Sequence, residues 1–360
     1  MHSKIIACAL IGLAIPLSSL ADTPKVAVDI APLHSLVSKV MEGVGQPDLI
    51  IPSEASPHQY TLRPSQARSL ADSEIVFWIG QELTPWLEKA MNNVASSAEK
   101  VGMLDLEGTT TYAFREGATF EEHEEHEEHE EHEEHEEHEE HEEHHDEHEE
   151  HTTSLIDRFL SLFRSDDHSR EEENHHGDEH DDHHEHNHDG IDPHAWLDPQ
   201  NAIFWTEEIA KILSKNDPEN AITYQSNAGN AVAELNSLIE QTQGTIHDLG
   251  DLDFIVFHDA YQYFEKRFGI AAAGSISLGD AEDPSPARIE EIRKIVKKLG
   301  VSCVFTEPQY DSGLVENIFE GSGVATIGVM DPLGANIKTG QTHYVELVQQ
   351  MADSLSQCKK

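Results

Sequence analysis

The chain has 360 residues, 37% of them hydrophobic and 26% charged, with 70 acidic side chains against 23 basic ones and a formal net charge of −47. That length suits two ordinary domains. The acidity excludes a large phosphate-neutralising surface, so nucleic acid and anionic membrane are not expected partners, and cations are the natural ones.

Residues 1–21 carry a single lysine, Lys4, then an apolar run from Ile5 to Leu17, then Ser19 and Ala21 at the −3 and −1 positions of a cleavage point. This is the pattern of a cleaved secretory signal. The run is interrupted by Pro16 and falls short of the roughly 20 apolar residues that a membrane-spanning helix needs. A lipoprotein reading of Ile5-Ile6-Ala7-Cys8 ranks below it, because only seven residues precede the cysteine and the apolar run continues past it. Removing the leader leaves Cys303 and Cys358 as the remaining thiols. Two cysteines in an exported chain suggest one disulfide, which would pin the C-terminal helix; two unpaired thiols are the alternative.

Residues 22–120 alternate apolar strands with helical patterns. The strands are expected at 25–30, 48–51, 74–79 and 100–106, and the helices at 32–42, from Pro64, and at 85–94. Such alternation implies crossover connections and a mainly parallel sheet. Residues 121–190 then hold thirty-two Asp or Glu, three Arg and nineteen of the 26 histidines. Glu-Glu-His recurs with His123, His126, His129, His132, His135, His138, His141 and His144 in phase, and a second His/Asp tract spans His175 to His188. A composition of this kind cannot bury a core, and its glutamates repel into an extended, disordered chain. Imidazole next to carboxylate suits exchangeable capture of zinc, copper or nickel; a solvated spacer is the alternative. The segment Leu155–Phe163 inside it has a helical pattern.

Residues 191–217 return to the first lobe, with Asp198 as helix cap and Pro199 at the first helical position. In 218–248, Ala228, Val232, Leu235, Ile239, Thr242 and Ile246 recur at steps of four and three, one continuous helical face. A helix of about 28 residues would be roughly 42 Å long, a stiff strut tying two lobes. Residues 249–360 repeat the first pattern, with strands at 254–257, 271–276, 303–306 and 325–329 and helices at 260–268, 286–299, 314–320 and 344–355. The fold class is therefore α/β: two sandwich lobes with mainly parallel sheets joined by a long rigid helix, their facing strand ends forming a cleft where a ligand would sit.

Outside leader and insert, the histidines are His34, His58, His194, His247, His258 and His343. Three lie at loop mouths: His58 in Pro57-His58-Gln59-Tyr60, His194 in Asp192-Pro193-His194-Ala195-Trp196-Leu197-Asp198-Pro199, and His258 in Phe257-His258-Asp259-Ala260-Tyr261, where Asp259 is placed as a helix cap. Prolines and strand ends give the stiffness that a metal site requires.

These motifs, with Asp331-Pro332-Leu333-Gly334, resemble those of the periplasmic zinc-binding proteins of ABC uptake systems, the ZnuA type, in order and over nearly the whole exported chain. The resemblance implies a monomeric periplasmic solute-binding protein, not an enzyme, that takes Zn²⁺ through His58, His194 and His258 and delivers it to a membrane permease. It leaves the fourth position to water, Asp331 or Glu54, since Pro57 stands where some relatives carry an acidic ligand. It also pairs Cys303 with Cys358. Three imidazoles and a carboxylate form a tetrahedral, borderline-soft set suited to zinc, though copper would compete on intrinsic affinity. A zinc hydrolase with the same three histidines would need a general base, and no His-Glu-x-x-His motif supplies one. A manganese-binding relative would carry a carboxylate at position 258, and an adhesin on the same fold would show a surface anchor.

Overall fold

The computed structural model describes residues 23–115, 120, 190–250, 252–277, 284–301, 303–310, 312–320, 324 and 326–358. The expected secretory leader, residues 121–189 of the acidic insert and the expected helical segment Leu155–Phe163 lie outside the described residues. Every described residue belongs to one compact unit. Among the described residues no helix is long and apolar enough to cross a membrane.

The first lobe carries strands β1 (Val26–Val28), β2 (Asp48–Leu49), β3 (Ile75–Trp78) and β4 (Glu99–Gly102), connected by helices α1 (Ala31–Val40), α2 (Pro64–Asp72) and α3 (Pro85–Val94). The strands pair in parallel in the order β2-β1-β3-β4. After α4 (Pro199–Asn216) and α5 (Ala221–Leu249), the second lobe carries β5 (Phe254–His258), α6 (Gln262–Phe268), β6 (Gly274–Ser277), α7 (Pro286–Leu299), β7 (Cys303–Thr306), α8 (Ser312–Phe319) and β8 (Thr326–Val329), and closes with α9 (His343–Ser356). Its sheet is parallel as well, in the matching order β6-β5-β7-β8. Proline begins α2, α3, α4 and α7, where its missing N–H would have had no helical partner.

In both sheets the strand order reverses between the first and third strands, which opens a crevice at their carboxyl ends. In the first lobe that point is pinned by Asp29, which follows β1. Its carboxylate accepts from the backbone N–H of Ile30 and of Ile79, each at 2.7 Å, tying the ends of β1 and β3 together. Burial pushes the Asp29 pKa up to about 7, against the pull of those N–H donors. In the second lobe the same position is held by His258, the last residue of β5, and Glu307, the first residue after β7.

Helix α5 has 29 residues and, at 1.5 Å each, is about 44 Å long. Ala228, Leu235, Thr242 and Ile246 of its stripe are buried, and Val232 and Ile239 pack partly buried against the same core. It lies against α1 and α4 and also against α6 and α9, so one helix face fastens both lobes. A disulfide joins Cys303 in β7 to Cys358 just beyond α9, with 5.6 Å between the Cα atoms.

Strands β2, β4 and β6 differ in their bounds from the expected 48–51, 100–106 and 271–276, and two further differences lie beside the cleft. α6 begins at Gln262 with Tyr261 in the cap position, and the Asp259 carboxylate binds the Arg115 guanidinium instead of capping the helix. His258 ends its strand rather than following it, because Ser277 of β6 continues the pairing to that residue.

Candidate metal centre

His194 enters the cleft from a loop between Pro193 and Pro199, as the cap residue of a 3-10 turn, Ala195–Leu197. Asp192 sets its direction. One Asp192 oxygen accepts from the His194 backbone N–H at 3.0 Å and lies 2.7 Å from the ring Nδ1. His258 is held the same way from the other lobe, with Nδ1 2.7 Å from Glu307 Oε1 and the Tyr261 hydroxyl donating to that oxygen at 3.0 Å. A carboxylate accepts and does not donate, so each ring keeps its proton on Nδ1 and turns the Nε2 lone pair inward. The two Nε2 atoms are 3.5 Å apart. Two nitrogens bound to one tetrahedral zinc at 2.0–2.1 Å would lie about 3.4 Å apart.

His58 supplies the third ring, half-buried, its centroid 5.6 Å from that of His194. It sits in the loop between β2 and α2. Trp86 fastens this loop by donating Nε1–H to the Pro57 carbonyl at 2.8 Å, and Tyr60 bonds to Gln66 on α2. Ser56, His58, His194, His258, Glu307 and Leu333 line a cavity of about 10 Å³. That is the space of a single water-sized sphere, too small for an organic ligand. Among the described residues, no three or more His, Cys, Asp or Glu side chains are grouped so that they could hold a metal ion as they stand. The His194–His258 pair is set, and His58 is one ring away.

Asp331 does not line this cavity. Its Oδ1 accepts from the Leu333 N–H at 2.9 Å and from Gln309 Nε2 at 3.0 Å, and its Oδ2 accepts from the Ala335 N–H at 2.5 Å. The carboxylate thus shapes the Asp331–Gly334 loop. That loop is tied to the first lobe, since Trp196 Nε1–H donates to the Pro332 carbonyl at 2.8 Å, and to α9 through His343 Nε2 on the Leu333 carbonyl at 2.8 Å. Gly334 has φ +70°, and a Cβ there would come within 2.8 Å of His343 Nε2. Glu54 is exposed and is likewise not among the cavity-lining residues.

The environment treats the two facing rings differently. Burial, and then the neighbouring His258, hold the His194 pKa well below the ordinary imidazole value. For His258, burial also opposes charge, but the charge and hydrogen bond of Glu307 outweigh it and raise the pKa. Burial pushes Asp192 up to about 7 against the hydrogen bonds of His194 and Gln262 and the charge of Arg115. Glu307 was not singled out by the sequence reading. The available signal is its place, immediately after a buried strand at the sheet's reversal point.

A family model described as zinc-uptake complex component A periplasmic, ZnuA, matches residues 26–358. The chain is 39% identical over 358 residues to the high-affinity zinc uptake system protein ZnuA of Brucella abortus, covering 99% of this chain and 98% of that one. It is 40% identical to the protein of the same name from Paracoccus denitrificans, covering 99% and 97%. A crystal structure of a ZnuA deletion mutant with zinc bound shares the fold, with TM-score 0.65 at 19% identity over 94% of this chain and 99% of that one. The match along nearly the whole chain, on a pair of parallel-sheet lobes with two carboxylate-oriented imidazoles between them, places this chain in the ZnuA family.

Proposed function

We propose that the protein is a periplasmic solute-binding protein that captures Zn²⁺ between its lobes and passes it, as a monomer, to an ABC permease for high-affinity uptake. The observation that carries this reading is the 3.5 Å separation of the His194 and His258 Nε2 atoms, each ring oriented by a buried carboxylate. His58 completes three imidazole ligands, and Asp331 supports them through the shape of its loop, leaving the fourth position to water. Such outer carboxylates fix the tautomer and raise the basicity of the ligand nitrogen. Zinc is here the cargo, so the protein needs affinity and release rather than an activated water, and it has no catalytic role in this reading. The acidic histidine tract, residues 121–190, adds weak exchangeable sites for the metal.

Zinc titration of the full chain, of a variant lacking residues 121–190 and of His194→Ala tests the proposal. One tight zinc should survive deletion of the tract, while the weaker equivalents disappear. A tract-deleted protein that binds no zinc would refute it. In cells, loss of the protein should arrest growth in zinc-poor medium and be repaired by added zinc.

A further inference from the structure

Arg115 lies outside the cavity, yet its side chain joins two of the three ligand-bearing segments. Residues 112–114 run antiparallel beside 190–192: Ala113 pairs with Ile191, Phe114 N–H donates to the Gly190 carbonyl at 3.2 Å, and Asp192 N–H donates to the Tyr112 carbonyl at 2.9 Å. This pairing ends on Asp192, which directs His194. From the next residue, Arg115 reaches into the second lobe. Its Nε–H donates to both Asp259 oxygens at 2.9 and 3.1 Å, Nη1 donates to Glu265 Oε2 at 2.6 Å, and Nη2 bonds to both carboxylates. Asp259 follows His258 in the chain. Gln262 reinforces the joint, donating to the Ala113 carbonyl at 3.0 Å and to Asp192 Oδ2 at 3.2 Å.

Asp259 and Glu265 are 5% and 3% exposed, so they cannot rely on water to relieve their mutual repulsion. A planar guanidinium fork satisfies both and fixes their orientation, which a point charge would not do. We propose that Arg115 is a positioning residue of the metal centre: by clamping Asp259 and Glu265 to the paired 112–114 and 190–192 segments, it keeps His258 in register with His194. The inference rests on the reading that these histidines hold zinc.

The test uses the full-length chain, with Co²⁺ as a spectroscopic stand-in for zinc. The cleft signal is the part of the cobalt visible band that His258→Ala removes. Arg115→Lys keeps the charge but loses the fork, and Arg115→Gln/Asp259→Asn/Glu265→Gln is a neutral analogue of the clamp itself, in which neither carboxylate is left without its guanidinium. The expected result is a fall in zinc affinity of about tenfold or more for the triple variant, and a smaller one for the lysine variant. The cleft band should change shape in both, while far-ultraviolet circular dichroism of the metal-free proteins stays that of the parent. A folded triple variant with the parental affinity and band overturns the proposal. So does a fall in affinity with an unchanged band, which would signal lost stability alone. If the parent itself gives no His258-dependent band, the zinc reading falls together with this inference; a normal parental band with unaffected variants sinks only the role of Arg115.

Discussion

His194 and His258 are 64 residues apart in the chain, and their Nε2 atoms meet at 3.5 Å. With both protons held on Nδ1, two lone pairs face each other across a distance that only a shared proton or a cation makes favourable. A bound zinc replaces that repulsion with two coordinate bonds. Replacing either residue with alanine leaves one oriented imidazole. Losing an outer partner of a metal-bound histidine costs roughly 10–100-fold in affinity, so losing the ligand should exceed about 100-fold. His58→Ala should also weaken binding. Competition against a zinc chelator measures all three, and a wild-type constant in His194→Ala would refute the assignment.

Asp331 offers a sharper separation of roles. Its oxygens accept from two backbone N–H groups and from Gln309. Asp331→Asn keeps one acceptor and loses the other, which should lower stability by about 1 kcal/mol through the bond to the Ala335 N–H. Zinc affinity should stay within about tenfold of the parent. A loss beyond about 100-fold, with the melting temperature unchanged, would make Asp331 a direct ligand instead.

Metal binding should depend on pH mainly through His258. Its pKa is raised in the folded chain, so its imidazolium stabilises the metal-free protein below the ordinary imidazole value of about 6.5, and this contribution is lost as pH rises through the raised value. Zinc requires the neutral ring, so the gain in melting temperature on adding zinc should be small in mild acid and grow as His258 deprotonates. His194 stays neutral throughout this range, its pKa being depressed by burial and then by His258. Glu307→Gln removes the charge that raises His258 and should move the midpoint to lower pH while weakening zinc about 10–100-fold. A midpoint that does not move would mean that another group controls the dependence.

Local sequence carried much of the architecture. Helices α3 and α7 and strand β7 fall on the expected residues, because proline starts and short apolar runs are signals contained within each segment. That His58, His194 and His258 would stand together at one cavity was legible for the same reason, each set in its own stiff motif. Glu307 and Arg115 were not: their partners lie 49 and 144 residues away, and nothing beside them in sequence announces the pairing. The loop contacts of Asp331 were obscured because a carboxylate at a cleft loop reads equally well as a ligand or as a turn acceptor, and the Leu333 and Ala335 N–H groups that it accepts from become visible only in the fold. Two-residue β2 is shorter than its apolar run, since only Asp48 and Leu49 pair with β1.

Helix α5 allows a test of how the lobes move. It contains Gly229 and Gly244, both on its exposed side, where an added Cβ would meet nothing within 4 Å. Glycine in a helix interior costs about 0.5–1 kcal/mol relative to alanine, largely through the freedom it returns to the unfolded chain. Gly229→Ala and Gly244→Ala should therefore each stabilise the protein by about that amount, measured in chemical denaturation with an unchanged slope. If α5 is a rigid strut, zinc uptake and release rates in the double variant should match those of the parent, because exchange then makes no use of bending at either glycine. If zinc exchange requires α5 to bend, the glycines are the cheapest places to do so, and alanine at both should slow release. Stopped-flow chelator chase on the two proteins reads the difference, and a slowed release would replace the strut with a hinge.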